Sequence, residues 1–495
     1  MAEKFKSKSG FILASVGASV GLGNALRFPG MCAKYGGGTY LFIYFAALLL
    51  LGVPLLNAEI ALGRKYRGGA PRCLGALKRG GSGIGWISCV NSVFTAIIYA
   101  GLAGWIIAMA VKIGPLSFAA PRMSQTEISG YFFDKVLSAQ ADGALYKISP
   151  LVCGCVLAAW ALMYFCLKGG ANSLARAAKF TVIIPLLLLS FMAVRGLSFG
   201  NASVALSKLF VPDFSLIASP ELWLNALGQV FFSLSVAVGI MPAYGEYLPE
   251  NTNIFSCSLI IAAADFFVSV LASVALFTTL YGCGLQGEIG RSGIVTAFAV
   301  YPVAITRLFG SNAALNSACG VLFYASLAMM AVQSGTSMLE AFASSFSKKF
   351  GVSRKKLAVV ICAVGAAVSL VYATSAGVVI VDLSDRFVNF YDVLILCAAE
   401  CFTIGFCGEL RALADEANMY ARRLKLPPAV MKISIKFISP AVLSALTAFE
   451  IVRLCVNGLA YPPWAQVAFG WGLSLAVVLI GLAAAVKRKK YPLKI

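Results

Sequence analysis

Asp265 stands alone in the apolar run IIAAADFFVSV, residues 260–270. An unpaired carboxylate there would take up a proton or be driven out of the interior. A bound cation accounts for it best. Two further stretches carry complementary groups. GASVGLGNALRFPG, Gly17 to Gly30, places four glycines, an Asn, an Arg and a Pro where an apolar helix is expected to run. GQVFFSLSVAVGIMPAYGEY, Gly228 to Tyr247, interrupts a second apolar segment in the same way. Unwinding a helix at membrane depth frees carbonyls, hard oxygen donors suited to Na⁺. The half-helix N-termini it creates offer N–H groups and a positive dipole end to a carboxylate. The chemistry on offer is joint capture of a cation and an anionic group. One Gly-rich span alone is as well explained by close helix packing. Two, five spans apart and each followed by Pro and a polar end, are not.

The elements that must position these residues follow from composition. The chain has 495 residues, 60% hydrophobic and 12% charged, with a mean hydropathy of +0.87. Apolar runs of about twenty residues recur, each long enough to cross the hydrocarbon of a bilayer. The expectation is an all-α polytopic membrane protein with about twelve transmembrane helices. An outer-membrane barrel would show short alternating segments instead. The spans read as 10–30, 38–62, 84–112, 148–167, 174–195, 222–247, 255–282, 313–345, 355–375, 386–408, 430–454 and 464–486. All of residues 1–495 form one transmembrane domain.

The net charge of +20 lies between the spans, so it points to a membrane surface and not to nucleic acid. Basic clusters fall on one side only: Lys4, Lys6 and Lys8; Arg64 to Arg79; Lys168, Arg176 and Lys179; Lys348 to Lys356; Arg411, Arg422, Arg423 and Lys425; and Lys487 to Lys490. The opposite loops are mixed in sign, as with Arg122, Glu127, Asp134, Lys135 and Asp142. By the positive-inside rule both termini are cytoplasmic and the span count is even. The basic opening MAEKFKSKSG precedes no A-x-A cleavage site, so the first helix is expected to stay in the protein of a plasma (inner) membrane. With no His, histidine metal sites, His-dependent triads and His proton relays are excluded. The fourteen Cys sit mostly singly in apolar runs and read as small hydrophobes.

Broken helices at matching positions of two halves are the best sequence pointer to the midplane site of a secondary transporter. At these residues the chain resembles the neurotransmitter:sodium symporter family, which includes the bacterial leucine transporter. The resemblance is carried by GFILASVGASVGLGNALRFPG with YGGGTYLFIYFAALLLLGVPLLNAEIALGR, by ALGQVFFSLS, by AGW at Ala103 to Trp105, and by Asp382 and Asp385 before the tenth span. It runs in order over nearly the whole chain. It implies two inverted five-span repeats, 10–195 and 222–408, with helices 1 and 6 broken and two peripheral helices at 430–486. It also implies sodium-coupled uptake by alternating access.

The resemblance further implies a first sodium site from the Ser19 carbonyl and the side chains of Asn24, Ser233 and Asp265, completed by a substrate carboxylate that Tyr99 caps. A second would use the carbonyls of Gly17, Val20 and Met330 with Ser334. The family usually has Thr or Ser before that serine, but here the residue is Gln333, so one sodium or two stay open. The chloride positions of the family read Tyr44, Gln229, Ser233 and Ser269. Asp265 would supply a fixed negative charge beside them, so chloride is expected to be dispensable. Monoamine carriers have an Asp where this chain has Gly21, which favours an α-amino acid that brings its own carboxylate. The pocket would be lined by Ala18, Gly21, Thr95, Tyr99, Phe232, Ser235, Val238, Ser334 and Met338. No charge lies among them, so a neutral apolar or aromatic side chain is expected. Arg27 and Asp385 match the outer gate, and Glu59 and Glu400 would brace the break in the sixth span. The inner gate departs from the pattern: its Arg and Asp positions read Ala2 and Lys348, and its Trp reads Phe5. Closure there would be looser, or would use Lys4, Lys6 or Lys8 with another acid. Other readings are a non-transporting amino-acid sensor and a proton-coupled carrier. An intramembrane enzyme is remote, since no catalytic set is present. The sequence carries no signal for an oligomeric state.

Overall fold

The structure is a computed structural model that describes residues 4–139, 147–421 and 423–486. Ala2, Asp142, Arg422 and the cluster Lys487 to Lys490 lie outside the described residues. Ten continuous helices are long and apolar enough to cross a bilayer. In chain order they are α2 (Gly38–Tyr66), α3 (Gly81–Arg122), α4 (Pro150–Leu167), α5 (Gly170–Leu197), α7 (Ile254–Gly282), α8 (Ala313–Phe350), α9 (Arg354–Ala373), α10 (Gly377–Cys407), α11 (Pro428–Asn457) and α12 (Pro463–Val486). The first span is a bent pair, α1a (Lys8–Ser19) and α1b (Gly23–Lys34), which meet at 51°. The sixth is also split, into α6a (Pro220–Ser233) and α6b (Ile240–Glu246). Among the described residues this makes twelve spans, two of them broken, as expected.

Burial sorts the spans. The most apolar stretches of α2 and α3 are 72% buried, whereas that of α12 is 17% buried. Phe165 of α4, Phe180 and Leu187 of α5, and Leu475 and Leu479 of α12 are exposed. A continuous apolar exterior of this kind belongs in lipid, where every backbone group must be satisfied within the span. The polar groups gather instead where the two broken spans face α2, α3, α7 and α8.

Both breaks have local causes. In the first, Gly21 N turns to Asn24 Oδ1 at 3.0 Å, and Asn24 N takes Gly21 O at 3.2 Å. The helical bonds that would join the two halves are therefore replaced by an Asn-centred turn. In the second, Ser235 (φ 53°), Ala237 (φ 59°) and Gly239 (φ 75°) are left-handed. For Ser and Ala this costs on the order of 1–3 kcal/mol each, so surrounding contacts must hold the break. Glu59 of α2 does so, accepting from Ala237 N at 2.6 Å.

Glu400 is fully buried, but among the described residues neither of its oxygens has a hydrogen-bond partner, so the direct brace is Glu59 alone. Span boundaries also shift: the third span runs on to Arg122 and the eighth to Phe350. α10 begins at Gly377, so Asp382 and Asp385 lie inside the span and not before it. The apolar GVVIVDLS starts the helix, and local partners carry its acids. Tyr461 hydrogen-bonds Asp382, and Asn389 Nδ2 donates to Asp385 Oδ1 at 2.7 Å.

Candidate functional site

The two breaks are stitched together. Ser235 Oγ donates to Ala18 O at 2.9 Å, and Ser19 Oγ lies 3.5 Å from Leu234 O. Asn24 Nδ2 reaches Ser233 Oγ at 3.0 Å, Asp265 Oδ1 at 2.8 Å and Ser269 Oγ at 2.8 Å. Asp265 also accepts from Ser233 Oγ on Oδ1 at 2.6 Å and from Tyr44 OH on Oδ2 at 2.8 Å. A fully buried carboxylate is thus held by three donors from three other spans. It sits against the break in α1, where Ser19 ends α1a. Charge-assisted bonds of this kind are about twice as strong as neutral ones, and they keep an acceptor poised for a cation.

The hydroxyls of Tyr44 and Ser233 therefore point at Asp265, and Ser269 Oγ donates to the Asp265 carbonyl at 2.9 Å. Gln229 is buried, and among the described residues neither of its amide atoms is hydrogen-bonded. Three of the four residues that would hold chloride have directed their protons to Asp265.

Beside this cluster lies a cavity of about 20 Å³, room for about one water. All nine expected substrate residues line it: Ala18, Gly21, Thr95, Tyr99, Phe232, Ser235, Val238, Ser334 and Met338. A Cβ on Gly21 would lie 2.9 Å from Ser334 Oγ, so the absence of a side chain there keeps the break and α8 in contact. Tyr99 and Phe232 also line a second cavity of about 360 Å³. That vestibule opens away from the N-terminus and contains Arg27, Asp382, Asp385 and Arg386. The two aromatic rings separate a tight lower site from a wide upper one.

The two regions expected to act as gates differ in packing. Arg27 lies over the rings of Phe232 and Phe390, 5.8 and 5.5 Å from their centroids. Asp385 is bound by Asn389, and no ion pair joins it to Arg27 among the described residues. At the N-terminal end, Phe5 is buried edge-on against Phe11 and Tyr244, both at 5.7 Å, and its N–H donates to Tyr247 O at 2.9 Å. Lys348 of α8 pairs with Glu246 of α6b, and its ammonium lies 5.5 Å from the Tyr247 ring centre. Lys4 pairs with Glu250 at 2.6 Å. Of the two closures expected, the Lys4 pair with Glu250 corresponds to the one that uses an N-terminal lysine with another acid, and Lys348 adds a pair with Glu246 of the broken sixth span.

Six residues of the cavity wall are outside the expected substrate and sodium sets: Gly23, Ser92, Phe231, Val236, Asn389 and Val393. Thr95 Oγ1 donates to Asn389 Oδ1 at 2.6 Å, and Asn389 Nδ2 reaches Asp385. The available signal was the i, i+4 spacing of Asp385 and Asn389, which puts both on one helix face.

The profile of the Sodium:neurotransmitter symporter family matches residues 2–121 and 116–491. The chain belongs to the sodium:neurotransmitter symporter family. The transporter is 28% identical to an uncharacterized sodium-dependent transporter of Methanocaldococcus jannaschii, over 99% of this chain and 98% of that protein. It is 26% identical to the sodium- and chloride-dependent taurine transporter of Rattus norvegicus, over 96% of this chain and 82% of that protein. A 30% identity to the inactive sodium-dependent neutral amino acid transporter B(0)AT3 of Homo sapiens covers 56% of this chain and 46% of that protein. Among solved structures, MhsT in complex with L-phenylalanine superposes with a TM-score of 0.77 at 22% identity, over 90% of this chain and 99% of that one. The transporter is an integral membrane protein of the leucine-transporter fold and of a sodium-dependent transport family, not an enzyme.

Proposed function

We propose that the transporter imports a neutral α-amino acid with an apolar or aromatic side chain, coupled to sodium and without a requirement for chloride. The observation that carries this reading is the Asp265 cluster set against the broken first span. Sodium is cargo here, and its oxygens would come from Asp265, Ser233, the Asn24 side chain, the Ser19 carbonyl and the substrate carboxylate. With Gly21 in place of an acid, the first span leaves room for that carboxylate, and Tyr99 stands above it. Ala18, Val238, Phe232 and Met338 supply the apolar wall. Because the cavity holds about one water, substrate must enter by moving Phe232 and Tyr99 apart. Direct commitment of the Tyr44 and Ser233 protons to Asp265 favours chloride independence.

The basic clusters support cytoplasmic termini, so the Phe5 end faces the cytoplasm and the vestibule faces outward. Repeats at 10–195 and 222–408, with 430–486 peripheral, fit the matched breaks and the lipid exposure of α12. Alternating access would open the Phe5 and Lys348–Glu246 closure as Arg27 and Asp385 come together. The test is uptake of labelled neutral amino acids into proteoliposomes, with Na⁺ against K⁺ and chloride against gluconate. Sodium-dependent uptake unchanged in gluconate is expected. Strong loss in gluconate would remove the chloride-independent reading. Binding without counterflow would identify a sensor instead.

A further inference from the structure

The end of α1a exposes more than the Asp265 cluster uses. In an unbroken helix Gly21 N would serve Gly17 O, and Asn24 N would serve Val20 O. Here those amides go to Asn24 Oδ1 and Gly21 O. Among the described residues Gly17 O keeps a distant side-chain donor, Ser334 Oγ at 3.5 Å. A cut helix end of this sort calls for a partner, and the resemblance to the family would put a second sodium there, among Gly17, Val20, Met330 and Ser334. Residue 333 would then have to turn an oxygen toward Gly17.

Gln333 does not do so. Its side chain is buried and crosses the gap to α5. Thr181 Oγ1 lies 3.1 Å from Ala177 O and 3.2 Å from Gln333 Oε1, sharing its one proton between them, with the amide oxygen on the α5 side. The rest of the side chain lies against the helix end. A Cβ on Gly17 would meet Gln333 Cγ at 2.8 Å and Nε2 at 3.2 Å. Among the described residues Nε2 has no hydrogen-bond acceptor. A sodium ion needs oxygen lone pairs, and an amide nitrogen presents protons and no lone pair for it. The group laid on the cut helix end is therefore of the same sign as the ion. The residues present do not fit a second sodium.

We infer that this transporter carries one sodium ion per cycle, the Gln333 side chain lying beside the cut helix end with its amide nitrogen, not its oxygen, on that side. The inference rests on the sodium-coupled reading of the Asp265 site. It predicts that Gln333→Thr, which withdraws the amide and leaves a hydroxyl, creates a second site.

Equilibrium binding of ²²Na⁺ to the full-length protein in nanodiscs tests it without knowledge of the substrate. One ion per chain with a Hill coefficient of one is expected, rising to two ions in Gln333→Thr. Two cooperative ions in the unsubstituted protein would overturn the inference and leave sodium coupling intact; that result means the amide is rotated, with its oxygen toward Gly17. No saturable ²²Na⁺ binding would remove the proposed function itself. If Gln333→Thr fails to fold, the ion count of the unsubstituted protein still decides.

Discussion

Replacing Asp265 by Asn should abolish sodium binding at ordinary concentrations while leaving the protein folded. The substitution is nearly isosteric, and the amide oxygen can keep the donors on Oδ1, Asn24 Nδ2 at 2.8 Å and Ser233 Oγ at 2.6 Å. On the Oδ2 side Tyr44 OH, now at 2.8 Å, would face an amide nitrogen and must turn from donor to acceptor. Each charge-assisted bond made neutral loses about 1 kcal/mol, and relief from burying an anion offsets part of this. The net effect on folding is therefore small. The effect on a cation is not. A unit charge about 4 Å away at an effective dielectric constant of about 20 contributes roughly 4 kcal/mol, a loss of about a thousandfold in affinity. Half of that, about 2 kcal/mol, survives any reasonable relaxation of the site, so at least about a thirtyfold weakening is expected. Thermal stability titrated with NaCl at constant ionic strength reads this directly, because a ligand that binds only the native state raises apparent stability. The parent should show a saturating rise and the Asn variant none. In the same experiment, chloride should begin to matter for the variant, since Tyr44 and Ser233 no longer face a carboxylate. A half-saturating sodium concentration within threefold of the parent would refute the assignment of Asp265.

Gly21→Asp should weaken binding of the transported neutral amino acid by at least about a hundredfold, from like-charge repulsion with the ligand carboxylate and from crowding of Ser334 Oγ, 2.9 Å from the added Cβ; competition with the corresponding amine, which lacks the carboxylate, should show the reverse preference. Glu246→Gln removes the acid from the N-terminal closure. Because Lys348 is partly exposed the pair is discounted to about 1 kcal/mol, so hydrogen exchange around Phe5 should quicken by severalfold, and unchanged protection there would deny the pair a gating role. Ser235→Ala deletes the bond to Ala18 O that joins the two breaks, and a loss of about 1 kcal/mol should lower the ligand-free melting temperature more than Ser190→Ala, which removes only an i−4 bond on α5.

The sequence by itself determined the approximate spans, both breaks and most of the residues around the cavity between them. Apolar length, and glycine with polar residues inside an apolar run, are penalties that lipid imposes on each segment locally, so they can be read one segment at a time. That is why Asp265, Asn24 and the nine lining residues were legible. What only the tertiary structure decided is which atoms face each other across spans far apart in the chain. Gln333 could have been a ligand or an obstacle; only the fold lays it against Gly17 and brings its amide to Thr181, 152 residues away. Lys348 looked like a missing gate until α6b brought Glu246 to it. Asn389 drew no notice until the rotation of α10 set it between Thr95 and Asp385. Hydrogen bonds and ion pairs act over about 3 Å, and helix rotation and crossing fix that distance, which linear pattern does not encode.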